Sequence, residues 1–418
     1  MPAKQYIRFA RANARFLAFG LAMTFVSSAG QTYFIGAFGP AIRADFGLSH
    51  TAWSGIYMIG TLLSAALLPW TGQQIDRMPL RRYSLLVGAG LVVATAFMAG
   101  VPSAALLVVA IFLLRQTGQG LSSHVGATSM ARHFDADRGK AVALVSLGFA
   151  AGEAVLPLLA VLAIAAIGWR ATYGAVSLIL LVTLLPAVWL LLGRHEVRYG
   201  QDEERRTDDG ETGGAVRSWS RTEVLGHGRF YLLLPAVLAP SCIVTALFFH
   251  HIELANMKGW SAAWITGNYW VYAVGTVLSS LAAGPLIDRI TTVRVLPGFL
   301  MPMVAGLMII WAFDGAVWAL PYLFLVGLTT GVTYTAVTTL WAEVYGVRHL
   351  GAIKSLVFAL TVFASAIGPI AMGAAMDAGV SVEDICAAFA VYCVAATGLL
   401  IVGLAGFRRP AAAPAIGD

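Results

Sequence analysis

One feature constrains this chain more than any other: runs of about twenty apolar residues recur from end to end, separated by short polar interruptions. A helix needs roughly 20 apolar residues to cross a hydrocarbon layer of about 30 Å. Such runs fall at about 16–40, 52–71, 83–101, 104–128, 140–167 and 171–193. After a polar gap they resume at about 229–254, 263–287, 294–313, 317–343, 353–376 and 384–407. Twelve helical spans follow, because a helix satisfies its own backbone groups where no water is available. Composition agrees: 59% of the residues are apolar and 11% charged, with a mean hydropathy of +0.78. A soluble chain carries about 25% charge, so much of this surface must face lipid.

Arg8, Arg11 and Arg15 precede the first run as they would in a signal peptide. That run is longer than the roughly 7–15 apolar residues of a signal core, so it reads as an uncleaved span. Lys4, Arg8, Arg11 and Arg15 recur at helical spacing and suit a short helix on an anionic membrane surface. The three cysteines, Cys242, Cys386 and Cys393, sit inside apolar runs, so neither a disulfide framework nor a zinc site is expected.

The net charge of +6 is better read by position than by sum. With the N-terminus placed inside, 23 of the 27 lysines and arginines fall in cytoplasmic segments. Arg43, Arg170 and Lys258 fall outside, and Arg115 lies within a span. This is the distribution that orients membrane proteins. It predicts an even number of spans and both termini cytoplasmic, with no role for nucleic acid, while the short loops and the lack of targeting extensions suggest a bacterial inner membrane.

One long polar segment, 194–228, divides the chain into an N-terminal six-helix bundle (1–193) and a C-terminal one (229–418). Its first part, with the glycine-rich Gly210–Gly214, reads as flexible; Ser220 followed by Glu223 fits a capping box opening a short helix. The two halves resemble each other. Tyr57-x-x-Gly60-Thr61-x-Leu63-Ser64 in span 2 returns as Tyr272-x-x-Gly275-Thr276-x-Leu278-Ser279 in span 8, at an offset of 215. Gly72-x-x-Ile75-Asp76-Arg77 returns as Gly284-x-x-Ile287-Asp288-Arg289 at an offset of 212, and Gly139 and Gly351 are again 212 apart. Several such matches in register indicate duplication. Six spans per repeat insert both copies in the same orientation, giving two pseudo-symmetric bundles with a midplane site between them.

With these residues in view, the chain resembles the major facilitator superfamily. That family's loop after span 2 follows Gly-x-x-x-Asp-Arg/Lys-x-Gly-x-Arg/Lys-Arg/Lys. Here it reads Gly72, Asp76, Arg77, then Pro79 in the place of glycine, then Arg81 and Arg82; the second copy keeps Gly284, Asp288, Arg289 and Arg294. Gly168-Trp169-Arg170 resembles a further recurrent signature. Gly351, Ser355, Gly368, Pro369, Gly373 and Asp377 look distantly like bacterial monocarboxylate porters, although span 8 lacks their Asp/Arg pair. The resemblance implies a cavity lined by spans 1, 4, 7 and 10, and a cytoplasmic gate built on Asp76, Arg77, Arg81 and Arg82.

The mechanism is expected to rest on ionisable groups at depth, because each costs about 2.5–3.5 kcal/mol at the centre of a span and persists when paired, wetted or functional. Arg115 lies about twelve residues into span 4, and Glu153 about thirteen into span 5 from the other side. Matching depths predict an Arg115–Glu153 pair, in which protonation of Glu153 frees Arg115 for an anion. Gln31 and Ser27 in span 1, Gln119 in span 4, and Thr330, Tyr334 and Thr338 in span 10 form polar stripes that either line the pathway or bond helix to helix. His250 and His251, near Glu253, form either an interfacial polar cluster or a proton relay or gate.

No phosphate-binding loop appears, so ATP drive, cofactors and enzyme chemistry are not expected. The leading expectation is a monomeric secondary transporter moving a small solute, an organic anion, by proton-coupled symport through alternating access. The alternatives are a proton-antiport drug or metabolite exporter, and a non-transporting membrane sensor with the same fold.

Overall fold

The computed structural model describes residues 3–134, 137–193, 219–346, 349–405 and 407, with side chains except those of 3–7 and 288. Most of the 194–228 segment, Gly210–Gly214 included, therefore lies outside the described residues, as do Arg348, Arg408 and Arg409. The described residues are helical throughout, joined by short turns, with no strand among them.

Among the described residues, eleven helices are long and apolar enough to cross a membrane, from His50–Arg77 to Val382–Ala405. The twelfth is span 1, which is broken. It consists of Ala14–Val26 and Thr32–Phe46, joined by a tight 3₁₀ turn at Ser27–Gly30. Neither piece alone reaches spanning length, and together they do. Span 7 also differs from its expected bounds: it ends at Phe249, and after a bend at His250 a short helix, His251–Met257, follows. The short connections expected near Pro102 and Gly168 are present, the latter with Gly168 at a positive φ of 79°.

Packing sorts the described residues into two compact units. One holds the described residues up to 193 together with 246–270 and 369–378; the other holds those of 219–245, 271–368 and 379–407. In the first unit the principal neighbours are span 6 on span 3, span 1 on span 5, and span 2 on span 4. In the second, span 9 packs on spans 10 and 12.

The duplicated Tyr-x-x-Gly-Thr motif explains part of this packing. A Cβ on Gly60 would stand 2.9 Å from the Phe112 amide of span 4, and one on Gly275 would stand 2.7 Å from the Phe324 carbonyl of span 10. Phe112 and Phe324 are themselves 212 residues apart. Each copy thus uses its glycine to bring two backbones together, as small residues do between helices in lipid. The aliphatic residues left exposed, such as Leu86, Val93, Leu178, Leu281, Val391 and Val402, suit a hydrocarbon surround.

Candidate functional site in the broken first span

Two irregular segments face each other inside the first unit. In span 1, Ser27–Gly30 winds as a 3₁₀ turn and Gln31 is extended (φ −82°, ψ 153°) before the helix resumes. In span 4, Arg115–Ser122 is wound wide as a π-helix. The two backbones touch: a Cβ on Gly30 would lie 2.1 Å from the Leu114 carbonyl and 2.6 Å from the Gln119 amide, and one on Gly118 would lie 2.7 Å from the Gly30 Cα. Only glycine fits at either point. Wide turns of this kind occur mostly as single interruptions of α-helices and concentrate at functional sites.

The break in span 1 frees a carbonyl. In a continuous helix Gly30 O would accept from the Phe34 amide, but that amide bonds to Gln31 O instead, at 3.2 Å. Gly30 O accepts from Arg115 Nη1 at 3.2 Å, and the same nitrogen reaches Thr32 Oγ1 at 3.4 Å. The Thr32 and Tyr57 hydroxyls are 2.6 Å apart, and the guanidinium carbon lies 5.2 Å from the Tyr57 ring centre. Arg115 is 2% exposed, and its Nε has no partner. Gln116, which the sequence did not single out, ties the same turn to span 2. It accepts from Ser64 Oγ at 2.9 Å and donates to Thr71 Oγ1 at 2.7 Å.

The expected Arg115–Glu153 pair is absent. Ion pairs among the described residues include Arg43–Glu253, Arg132–Asp76, Lys140–Asp137 and Arg170–Asp45, and neither Arg115 nor Glu153 is in one. The two groups lie at similar depth in sequence count, but Arg115 points to the span 1 break, where Nη1 meets Gly30 O and Thr32 Oγ1. Glu153 follows Gly152, where an added Cβ would lie 2.0 Å from Ser28 Oγ. Gln31 and Gln119 are half-buried at the break itself, beside Gly30 and Gly118. Ser27 is fully buried and donates to Thr24 O within its own helix.

Thr330 and Tyr334 belong to the second unit. Thr330 is buried with its hydroxyl on Val326 O, Thr338 bonds Tyr334 O, and Tyr334 is 65% exposed. The threonines of that stripe thus spend their hydroxyls on their own helix, not on a neighbouring one. His250 Nε2 donates to Pro369 O at 2.9 Å and lies 3.1 Å from Ser54 Oγ. His251 Nδ1 is 2.9 Å from the Tyr269 hydroxyl, and the two rings stack with centres 5.3 Å apart. Glu253, expected beside the histidines as part of a polar cluster, pairs with Arg43 at 2.5 Å.

At the other end of the first unit, Asp76 Oδ1 pairs with Arg132 Nη1 at 2.5 Å, both half-exposed to exposed. A Cβ on Gly72 would meet His124 at 3.7 Å, and His124 in turn lies 3.2 Å from Thr128 Oγ1. Arg77 and Arg82 are exposed. Arg81 does not join Asp76; its guanidinium covers the Trp189 ring at 3.4 Å, tethering the loop to span 6. The second copy is built differently. Gly284 has open space around it, Arg289 is exposed, the Asp288 side chain lies outside the described residues, and Glu343 accepts from the Thr292 amide at 3.0 Å.

A family model described as Major Facilitator Superfamily matches residues 20–369. The multidrug efflux pump LfrA of Mycolicibacterium smegmatis is 36% identical over 166 residues, which is 39% of this chain and 31% of the pump. The uncharacterized MFS-type transporter YfnC of Bacillus subtilis is 24% identical over 384 residues, covering 89% of this chain and 87% of that one. Among solved structures, the nucleoside transporter NupG superposes with a TM-score of 0.73 at 9% identity, covering 93% of this chain and 99% of that one. A bacterial homolog of the human lysosomal transporter Spinster superposes at 0.66 and 13% identity, covering 95% and 99%. These structural likenesses establish the fold, and the family match over most of the sequence establishes the kinship: the chain is a multi-pass membrane protein belonging to the Major Facilitator Superfamily of transporters.

Proposed function

We propose that this transporter moves a small organic anion by proton-coupled alternating access, with Arg115 as the anion-binding group. The observation that carries this reading is the state of Arg115: a buried guanidinium held by dipoles, with no carboxylate within salt-bridge distance among the described residues and its Nε unpartnered. A guanidinium presents a planar fork that matches a carboxylate in two parallel bonds. Gln31, Gln119 and Tyr57 supply neutral polar and aromatic surface around it. Glu153, the ionisable group of span 5, is the proton site. The lysine and arginine distribution supports cytoplasmic termini, and a monomer suffices for the mechanism.

Uptake of radiolabelled lactate and succinate into proteoliposomes under an imposed inward proton gradient tests the reading. Flux of either is expected, and Arg115→Lys should lower it at least about tenfold, since a point charge cannot replace the fork. Flux of neither anion, or flux indifferent to Arg115→Lys, would remove the proposal. Efflux of a drug is the second reading, favoured by the partial similarity to a multidrug efflux pump. Ethidium movement driven by the opposite gradient would select it, and ligand binding without flux would point to a sensor.

A further inference from the structure

Three arginines gather at the end of the first unit that carries Gly193, away from Arg115. Arg15, at the start of span 1, donates from Nε to Leu191 O at 3.0 Å and from Nη2 to Leu190 O. Those carbonyls are among the last of span 6, Trp169–Leu191, and the final carbonyls of a helix have no partner within it. Arg15 therefore offsets the negative end of that helix dipole. Arg81, in the first turn of span 3, Leu80–Gly100, lies over the Trp189 ring at 3.4 Å. Its Nε is covered and has no partner. Arg82 beside it is exposed. Among the described residues no carboxylate pairs with Arg15, Arg81 or Arg82, and Asp76 of the same loop pairs with Arg132 instead.

Each of the two helices continues from these cations into an exposed apolar stripe. In span 3, Arg82, Leu86 and Val93 are all exposed and lie on one helix face, at steps of four and seven. In span 6, Trp189, Val182 and Leu178 are exposed at steps of seven and four, again on one face. Each stripe runs about 16 Å at about 1.5 Å per residue, close to half of a hydrocarbon layer about 30 Å thick. The helices that carry them touch, since a Cβ on Gly88 would lie 3.0 Å from the Leu185 side chain. Trp189 is 56% exposed at the head of its stripe, and tryptophan gathers at the level where lipid tails meet headgroups.

Uncompensated cations heading two tail-length apolar stripes match an amphiphile with two tails and a negative head. A guanidinium presents parallel N–H groups to a phosphate, and Arg81 is held in place for that task by its stack on Trp189. A zwitterionic headgroup brings a cation of its own, which Arg82 and Arg15 repel. An anionic headgroup brings none. We propose that Arg81, Arg82 and Trp189, with Arg15 behind them, form a headgroup site for one anionic phospholipid whose tails lie along the exposed stripes of spans 3 and 6. The bound lipid would fasten the starts of spans 1 and 3 to the end of span 6, whatever solute the protein carries.

Native mass spectrometry of the full chain, titrated with phosphatidylglycerol or with phosphatidylcholine of the same tails, tests the site. The first phosphatidylglycerol should bind at least about fivefold more tightly than the first phosphatidylcholine, and Arg81→Gln should weaken it about fivefold, the scale of one arginine at an anionic surface. Arg82→Gln should act in the same direction and serves in its place if Arg81→Gln misfolds. Trp189→Leu, which keeps apolar bulk but removes the stack, should weaken phosphatidylglycerol and leave phosphatidylcholine unchanged. Arg221→Gln removes an equal charge from an exposed position in the second unit and should leave the first phosphatidylglycerol in place. Equal binding of the two lipids, or a loss with Arg221→Gln as large as with Arg81→Gln, would reduce the effect to diffuse surface charge and overturn the site. Displacement of the lipid by inorganic phosphate would make it a site for free anions and overturn it as well. None of these readouts depends on Arg115 or on an anionic substrate.

Discussion

The contact between the span 1 break and the π-segment of span 4 makes a quantitative prediction for Gly30→Ala. The added methyl would sit 2.1 Å from the Leu114 carbonyl oxygen, whereas a carbon and an oxygen normally approach to about 3.3 Å. The two spans must therefore separate by roughly 1 Å. Overpacking of this kind costs about 1–3 kcal/mol. The same displacement draws Gly30 O away from Arg115 Nη1, now 3.2 Å apart, and a hydrogen bond to a charged group contributes about 1.5–3 kcal/mol. The total is about 2.5–6 kcal/mol, large for a single methyl. Gly100→Ala is the control, because its added carbon meets nothing within 4 Å and the alanine gains up to about 1 kcal/mol of helix propensity. Thermal unfolding of both variants in detergent, followed by intrinsic fluorescence, should show Gly30→Ala several degrees below the parent and Gly100→Ala level with it or above. Gly118→Ala, whose methyl would lie 2.7 Å from the Gly30 Cα, should fall between. Equal melting of Gly30→Ala and Gly100→Ala would refute the close approach and with it the geometry assigned to Arg115.

Two further outcomes follow from side chains outside the main argument. Gln116→Leu removes both bonds that tie span 4 to span 2 and leaves the buried Ser64 hydroxyl unpaired; unfolding should show a loss of about 1–3 kcal/mol, partly restored by the double variant Ser64→Ala/Gln116→Leu. In the loop before span 7, burial first and the Arg229 charge second hold His227 below its ordinary value of 6.5, while its ring packs on Trp219, centres 4.7 Å apart, and lies 3.2 Å from the Tyr345 hydroxyl. The neutral ring is the form the folded state prefers, so its contribution is complete above about pH 6.5 and is lost as pH falls through the lower folded value. Trp219 fluorescence, isolated by difference against Trp219→Phe, should change with a midpoint below 6.5, and His227→Phe should abolish the change.

How much of this was legible in the sequence depends on what each feature is made of. Spans are made of composition, and composition is local: eleven of twelve appear as continuous helices close to their expected places. The repeat was legible because glycines at fixed offsets do the same work in both copies, as Gly60 and Gly275 show. The break at Ser27–Gly30 was not. Ser-Ser-Ala-Gly can continue a helix in lipid, and what interrupts it is the approach of span 4, a contact between residues more than eighty positions apart. A signal did exist in the cluster Gly118, Gly120 and Ser122 just after Arg115, small residues of the kind that let a helix widen. Asp377 was noticed as part of a family-like pattern, yet nothing in its neighbourhood announced that its oxygens would meet His50 and Thr51.

The failure of the Arg115–Glu153 pairing carries the most chemistry. Residue counting gives depth in a membrane, at about 1.5 Å per residue, but it gives no direction around the helix axis, and two groups at one depth can face opposite ways. Had they paired, the buried cation would have been neutralised by a fixed anion, and an incoming carboxylate would have had to displace it. The structure solves the cost of burial differently. Span 1 gives up a turn of regular helix, and the carbonyl so released, with the Thr32 hydroxyl and the Tyr57 ring, stabilises the guanidinium through dipoles. Dipoles lower the energy of a charge without cancelling it. Arg115 therefore keeps a net positive field in a low-dielectric setting, where an attraction is strongest, and keeps Nε without a partner. The irregular turns of spans 1 and 4 coincide because the carbonyl released by one meets the cation carried by the other, and under the proposed function that arrangement leaves the cation ready for a mobile anion.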